Sequence, residues 1–208
     1  MKLVFATGNI GKLREASEIL GEGFELVSLA QVGIEEDIPE TGNTLRANSL
    51  QKARYLFDKV GCDCFADDTG LEVDALGGAP GVYTARYAGE GNDFNANMDK
   101  VLYELSVLEG EAKIAASMGL RTKPVSRRAR FKSVITLIVN GEIKMFEGTL
   151  EGEIARTKSG NGGFGYDPIF IADEFPGMTL ADITEEEKNA ISHRGKALRA
   201  MAQWLHKK

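Results

Sequence analysis

Three short apolar runs near the start of the chain, KLVFAT, FELVSLAQV and CDCFADD, alternate with two stretches of helical periodicity. That alternation constrains the fold more than any other feature. KLVFAT is short, apolar and ended by Thr-Gly-Asn, as a buried strand should be. KLREASEILGEG follows with Leu13, Ala16, Ile19 and Leu20 on one face and glycine at its end, which predicts a helix. FELVSLAQV reads as a second strand with a turn. TLRANSLQKARYLFDKVG reads as a longer helix stopped by Gly61, and CDCFADD as a third strand that reaches an acidic pair at its carboxyl end. Strand, helix, strand, helix, strand implies an α/β sheet with helices on its faces.

The remainder predicts a different texture. NDFNANMDKVLYELSVLEG has helical spacing, and the basic stretch around RTKPVSRRAR reads as a loop or insertion. FKSVITLIV and EIKMFEGTL are strands joined by Asn140-Gly141, a strong hairpin signal. A glycine-rich loop, KSGNGGFGYDP, leads into the apolar IFIA. The tail reads as two helical pieces, with Ser192 as a cap and Leu198, Met201, Trp204 and Leu205 as the buried face. The expected class is therefore α/β or mixed α+β: a parallel part early, antiparallel hairpins later, and residues 1–208 as a single domain.

With 208 residues the chain is long enough to bury a core. A formal net charge of -6 argues against a nucleic-acid polymer or a membrane surface as partner, since both call for a broad basic face. Cys62 and Cys64 suit neither a disulfide framework nor a four-ligand zinc site. They read as small, buried or half-buried residues in a reducing compartment. The opening apolar run is too short for a signal peptide or a membrane span, so the expected location is cytoplasmic.

Four places carry residue types suited to chemistry. In TGNIGK, residues 7–12, a strand delivers a glycine-containing turn to a helix start, where free N–H groups and the helix dipole favour a phosphate, and Lys12 adds a charge. It is not a Walker A loop, because Leu13 follows the lysine. A strand-to-helix turn capped by Asn9 accounts for the same residues. In FADDTG, Asp67 and Asp68 offer hard oxygen ligands for Mg²⁺, with Glu40 of IPETGNT as a third carboxylate; a solvated turn is the plainer alternative. KSGNGGFGYDP holds glycines that would let backbone approach a ligand, with Phe164 or Tyr166 to stack on a purine. An ordinary connection with both rings in the core accounts for it equally. Lys188, His193 and Arg194 lie close in sequence and could donate to one ligand edge, or form a charged face. Together these parts suit a magnesium nucleoside triphosphate.

In order along nearly the whole chain, TGNIGK, PETGNTLRANSLQKA, ADDTGLEVDALGGAPGVYTARYAG, RARF, GGFGYDPIF and EEKNAISHRGKAL resemble the motifs of the inosine triphosphate pyrophosphatase family. The resemblance implies an elongated mixed sheet flanked by helices, two lobes with a cleft between them, and a homodimer. It implies hydrolysis of ITP, dITP and XTP to the monophosphate and pyrophosphate. Thr7, Gly8, Asn9, Ile10, Gly11 and Lys12 would hold the triphosphate, and Lys52 would reach toward phosphate. Glu40 and Asp68 would bind Mg²⁺, Asp68 would accept the proton of the attacking water, and Thr69 would contact substrate. Phe164, Gly165, Tyr166, Asp167, Lys188, His193 and Arg194 would bind base and sugar. Donors such as Lys188 and Arg194 would accept an oxygen at purine position 6 and reject an amine. Two departures stand out. Ala47-Asn48-Ser49 replaces the family's common Glu-Asn-Ala, and residues 109–127 look longer than usual. A pyrophosphatase for other modified nucleotides, or a nucleotide-binding sensor without catalysis, are the alternatives.

Overall fold

The structure is a computed structural model that describes residues 1–36 and 38–207. The strands are β1 (Lys2–Phe5), β2 (Glu25–Val27), β3 (Cys64–Val73), β4 (Arg128–Val139), β5 (Glu142–Ile154) and β6 (Phe170–Ala172). The helices are α1 (Ile10–Leu20), α2 (Leu45–Val60), α3 (Phe94–Ser117), α4 (Glu185–Ile191) and α5 (His193–Leu205). The strands form one sheet in the order β2-β1-β3-β4-β5-β6. β1 runs parallel to β2 and β3, while β5 and β6 are antiparallel. The expected mixed α/β class is what the chain adopts.

By its contacts the chain gathers into two compact units. The first comprises Met1–Thr69, Lys132–Thr149 and the chain from Ser192 onward; the second comprises Gly70–Phe131 and Leu150–Ile191. In the first unit, successive side chains of β1 and β3 point to opposite faces, as strand geometry requires. Leu3, Phe5 and Phe65 pack with Ala16 and Leu20 of α1 and with Ala197, Leu198 and Met201 of α5. Val4, Cys64 and Ala66 pack on the other face with Ala53 and Leu56 of α2. In the second unit, Met98, Val101 and Leu105 of α3 pack with Leu71, Val73, Phe131, Ile154 and Phe170.

Local sequence signals account for most element ends. Asn9 caps α1 through Lys12 N, Thr44 caps α2 through Ala47 N, and Gly61 ends α2 in a left-handed conformation. Asn140 and Gly141 both adopt positive φ, which sets the tight turn of the β4–β5 hairpin. Ser192 caps α5 by accepting from Gly195 N, and Leu198, Met201 and Leu205 are buried as expected, with Trp204 partly so.

Three expectations need correction. The helix expected over residues 92–110 starts at Phe94, capped by Asp93, and continues through Ser117, because Gly110 is followed by EAKIAAS, whose residues favour helix enough to carry it past one glycine. Arg128–Arg130, placed in a loop, open β4; residues 120–127 before them form neither helix nor strand. Cys62 is exposed rather than buried or half-buried; Cys64 is buried, and both are free. Among the described residues no helix is long and apolar enough to cross a membrane.

Leu56 is fully buried on the α2 face of β3. Leu56→Ala should lower the unfolding free energy by about 2–5 kcal/mol through lost burial and a residual cavity. Urea unfolding should show the midpoint shifting with little change in slope.

Candidate active site

The acidic pair lies inside β3, not at its carboxyl end and not in a turn. β1 stops at Phe5, whose register partner is Phe65, so Asp67 and Asp68 stand just beyond the last residue that β1 pairs. Both are buried, at 1% and 8% exposure. The alternation that sends Phe65 toward α1 and α5, and Ala66 toward α2, continues through the pair. Asp67 therefore meets the α1 and α5 side, and Asp68 the α2 side.

Asp67 is bracketed by cations. Lys12 Nζ donates to Oδ1 at 3.1 Å and lies 3.0 Å from Oδ2. Arg194 Nε donates to Oδ2 at 3.1 Å, and its Nη1 reaches Oε2 of Glu15 at 2.8 Å. Lys12 and Glu15 come from α1, and Arg194 is the second residue of α5. Burial by itself would raise the Asp67 pKa, but Lys12, Arg194 and Lys52 outweigh it and hold the carboxyl well below the ordinary aspartate range.

Asp68 has a different balance. Lys52 Nζ sits 3.3 Å from Asp68 Oδ1 and 2.5 Å from Glu40 Oε1. One buried ammonium thus serves two carboxylates from separate segments. Burial, and next the Glu40 charge, push Asp68 above the ordinary value despite Lys52 and the nearby Asn48 amide. Lys52 also lies above its ordinary value, because Asp68, Asp67 and Glu40 more than offset its burial. The Lys52 shift reports the surplus of carboxylates around it, and the Asp68 shift chiefly its burial. Asp68 Oδ2 and Asn48 Nδ2 are buried without a well-formed hydrogen bond. Asn48 Oδ1 accepts from Gly42 N at 2.7 Å, tying the Glu40 loop to α2. A Cβ on Gly42 would fall 2.7 Å from that oxygen and from the Ala47 Cβ, so the loop closes only with glycine there. Ala47 itself is partly buried at the loop. Thr69 Oγ1 donates to Ser133 Oγ at 3.3 Å.

These residues fit a hard divalent cation. Two carboxylates converge on one point now bridged by an ammonium, and one buried carboxylate oxygen lacks a partner. No cluster of three or more His, Cys, Asp or Glu occurs among the described residues. A magnesium-type ion commonly takes one or two carboxylates and completes its shell with water and phosphate oxygens.

In the second unit, Asp167 is the organising residue at 3% exposure. Its Oδ2 accepts from Phe164 N at 2.5 Å and from Lys188 Nζ. Phe164 is 60% exposed and meets Phe94 edge-on, with ring centroids 4.6 Å apart. Tyr166 is 2% exposed and donates its hydroxyl to Thr84 O, so a stacking role for its ring does not fit; Phe164 is the accessible aromatic. The loop glycines also have a reason other than ligand approach. A Cβ on Gly160 would lie 2.4 Å from Ala181 O, and one on Gly163 2.4 Å from Asp167 Oδ2, both at φ 79. Thr179 and Asp182 pin the same loop through Ser159. The segment 109–127 is anchored through Arg127, which donates to Ile154 O, Ala155 O and Glu109.

The fold and site define an α/β protein whose first unit sets a cation-locked aspartate back to back with an anion-rich one. A profile of the Ham1 family matches residues 3–204. The dITP/XTP pyrophosphatase of Flavobacterium psychrophilum is 47% identical over 205 residues, spanning 99% of both chains. That of Bacillus subtilis is 44% identical over 204 residues, covering 97% of this chain and 96% of the other. The Coxiella burnetii HAM1 protein superposes with a TM-score of 0.88 at 35% identity, covering 100% of each chain. The Mycobacterium abscessus nucleoside-triphosphatase / dITP/XTP pyrophosphatase superposes with a TM-score of 0.75 at 42% identity, covering 97% of this chain and 98% of the other. The chain belongs to the Ham1 family, and the resemblance read from its sequence holds.

The opposite environments of the two aspartates have a measurable consequence. In metal-free protein, carbon-13 titration should place the Asp68 carboxyl above the ordinary value of about 3.9, and Asp67 below it. A depressed carboxyl stabilises the fold above its unfolded pKa, and that contribution is lost as pH falls through the folded value. The stability gap between the parent and Asp67→Asn should therefore be full at neutral pH and fade as pH drops below about 4.

Proposed function

We propose that this chain is a divalent-metal-dependent nucleoside triphosphate pyrophosphatase. It hydrolyses non-canonical purine nucleotides such as dITP, XTP and ITP to the monophosphate and pyrophosphate, clearing them from the pool used for DNA and RNA synthesis. The observation that carries the reading is the convergence of Glu40 and Asp68 on Lys52 with Asp68 Oδ2 unpartnered, in a chain 47% identical to a protein named for this activity.

The first-turn N–H groups of α1 at Ile10 and Gly11, together with Lys12, form the triphosphate seat; Asn9 already occupies Lys12 N. Thr7 braces that turn by accepting from Asn9 N at 3.1 Å. Glu40 and Asp68 would hold the ion, taken here as Mg²⁺, which when bound neutralises charge on the phosphate oxygens. Asp68 Oδ1 faces Lys52, which leaves Oδ2 to orient the attacking water and accept its proton; burial raises the proton affinity needed for that task. Lys52 contributes a second positive charge at the reacting phosphate, where positioning and charge neutralisation matter more than covalent chemistry. Thr69 completes the substrate contacts of this unit.

In the second unit we assign Phe164 as a stacking ring and Lys188 as a donor to the base. Asp167 fixes both. Gly165 and Tyr166 contribute backbone only, and His193 lies beside Arg194 at the start of α5. Donors aimed at purine position 6 favour oxygen over an amine, because a displaced donor would be left unpaired. The homodimer and the cytoplasmic location belong to this reading as well.

A substrate panel at neutral pH with Mg²⁺ should show pyrophosphate released from dITP, XTP and ITP well ahead of ATP. Release of orthophosphate would contradict the reading, as would preference for modified pyrimidines. Asp68→Asn should lower kcat by about 10²–10⁴-fold. Because the folded site disfavours the Asp68 charge, the same variant should unfold at or above the parent's denaturant midpoint at pH 7.

A further inference from the structure

We propose that Asp67, which stands outside the ion- and substrate-binding set, is a positioning residue for the reaction: its carboxylate fixes Lys12 and Arg194 in one constellation. The proposal rests on the pyrophosphatase reading above and extends it to a residue that touches neither water nor metal in that scheme.

The geometry carries it. Asp67 is 1% exposed, and both of its oxygens are used. Lys12 Nζ lies within 3.1 Å of each oxygen, and Arg194 Nε takes Oδ2 at 3.1 Å. The two cations come from residues 182 positions apart in number (194 less 12), on the first turns of α1 and α5. Without a shared anion, two half-buried positive side chains would repel and spread over several rotamers. Asp67 holds them together through both of its oxygens. Glu15 completes the frame. It accepts from Arg194 Nη1 at 2.8 Å and from Ser192 Oγ at 3.4 Å, so the α5 cap and the α1 helix hold the same arginine. Strand alternation keeps Asp67 on the face opposite Asp68, so this role is separate from metal binding.

The sign of the kinetic effect follows from charge. Asp67 competes with an anionic substrate for Lys12, the cation of the triphosphate seat. It therefore weakens ground-state binding while fixing the geometry that the transition state needs. Removing the charge should free Lys12 to grip phosphate as tightly or more tightly, but out of alignment, and leave Arg194 without its second anchor.

The test is steady-state kinetics of the full chain carrying Asp67→Asn with dITP and Mg²⁺, corrected for folded fraction by urea unfolding. The expected result is a kcat lower by about 10–100-fold with KM unchanged or reduced, a split that a loss of folded protein would not produce. The binding constant for inorganic tripolyphosphate, by calorimetry, should be unchanged or tighter. A kcat within threefold of the parent overturns the proposal, as does a KM raised tenfold at constant kcat, or a loss fully explained by unfolded protein. If Asp67→Asn does not fold, nitrogen-15 spectra of the parent decide. Slowly exchanging Lys12 Nζ and Arg194 Nε protons that persist on adding tripolyphosphate support it, and their release overturns it. Because tripolyphosphate binding and these spectra need no turnover, an inactive parent would refute the pyrophosphatase reading without deciding the placement of Lys12 and Arg194.

Discussion

The site depends on a property of any β-strand: neighbouring side chains face opposite ways. Two adjacent aspartates in a turn would repel across a few ångströms of water. In β3 the same residues are split by the sheet itself. Asp67 enters the layer of α1 and α5, and Asp68 the layer of α2. Each then meets its own partners. Two cations and a fixed frame lock Asp67, whereas Asp68 shares a single lysine with Glu40. The strand thus converts one dipeptide into two chemically distinct carboxylates.

That division explains why buried charge is tolerated in a small unit. A buried ion pair contributes little net stability, because desolvation offsets attraction, but breaking one strands a charge. Around Asp67 the charges balance, and the group stays ionised. Around Asp68 they do not: burial, and after it the Glu40 charge, raises the proton affinity of Asp68, while Asp68, Asp67 and Glu40 raise that of Lys52. In the proposed function a divalent cation would neutralise the carboxylate in excess there. The unpartnered Asp68 oxygen is the atomic expression of that surplus. The Gly42–Asn48 contact holds the Glu40 loop where the surplus can form.

Much of this was legible in the sequence, and the exceptions share a cause. The strand and helix order, the Asn140-Gly141 turn, the Ser192 cap and the buried face of α5 follow from local periodicity and capping. Motif order identified the family. What sequence could not show is which way a side chain faces when its neighbours are mixed. FADDTGLEV carries polar residues through the middle of a buried strand, so local pattern ended the strand at the charges. The partners of Asp67 lie 55 residues away at Lys12 and 127 away at Arg194, beyond any local rule. The glycine-rich loop admitted two readings, close approach to a ligand or an ordinary connection. A Cβ at Gly160 or Gly163 would meet Ala181 or Asp167, which gives these two glycines a packing reason that local sequence does not carry. Tyr166 read either as a stacking ring or as core; it is buried, and its hydroxyl donates to a carbonyl 82 residues away. Gly110 read as a helix end, but one glycine costs less than the helix-forming residues after it contribute, and α3 runs on through Ser117.

The central claim is that the two adjacent aspartates have separate duties, one locking cations and the other receiving a metal ion. Manganese binding, followed by electron paramagnetic resonance on the parent and on Glu40→Gln, Asp68→Asn and Asp67→Asn, tests it most directly. The account predicts that Asp68→Asn abolishes binding, Glu40→Gln weakens it, and Asp67→Asn leaves the site intact. Equal loss of manganese from Asp67→Asn and Asp68→Asn, with both proteins folded, would contradict it.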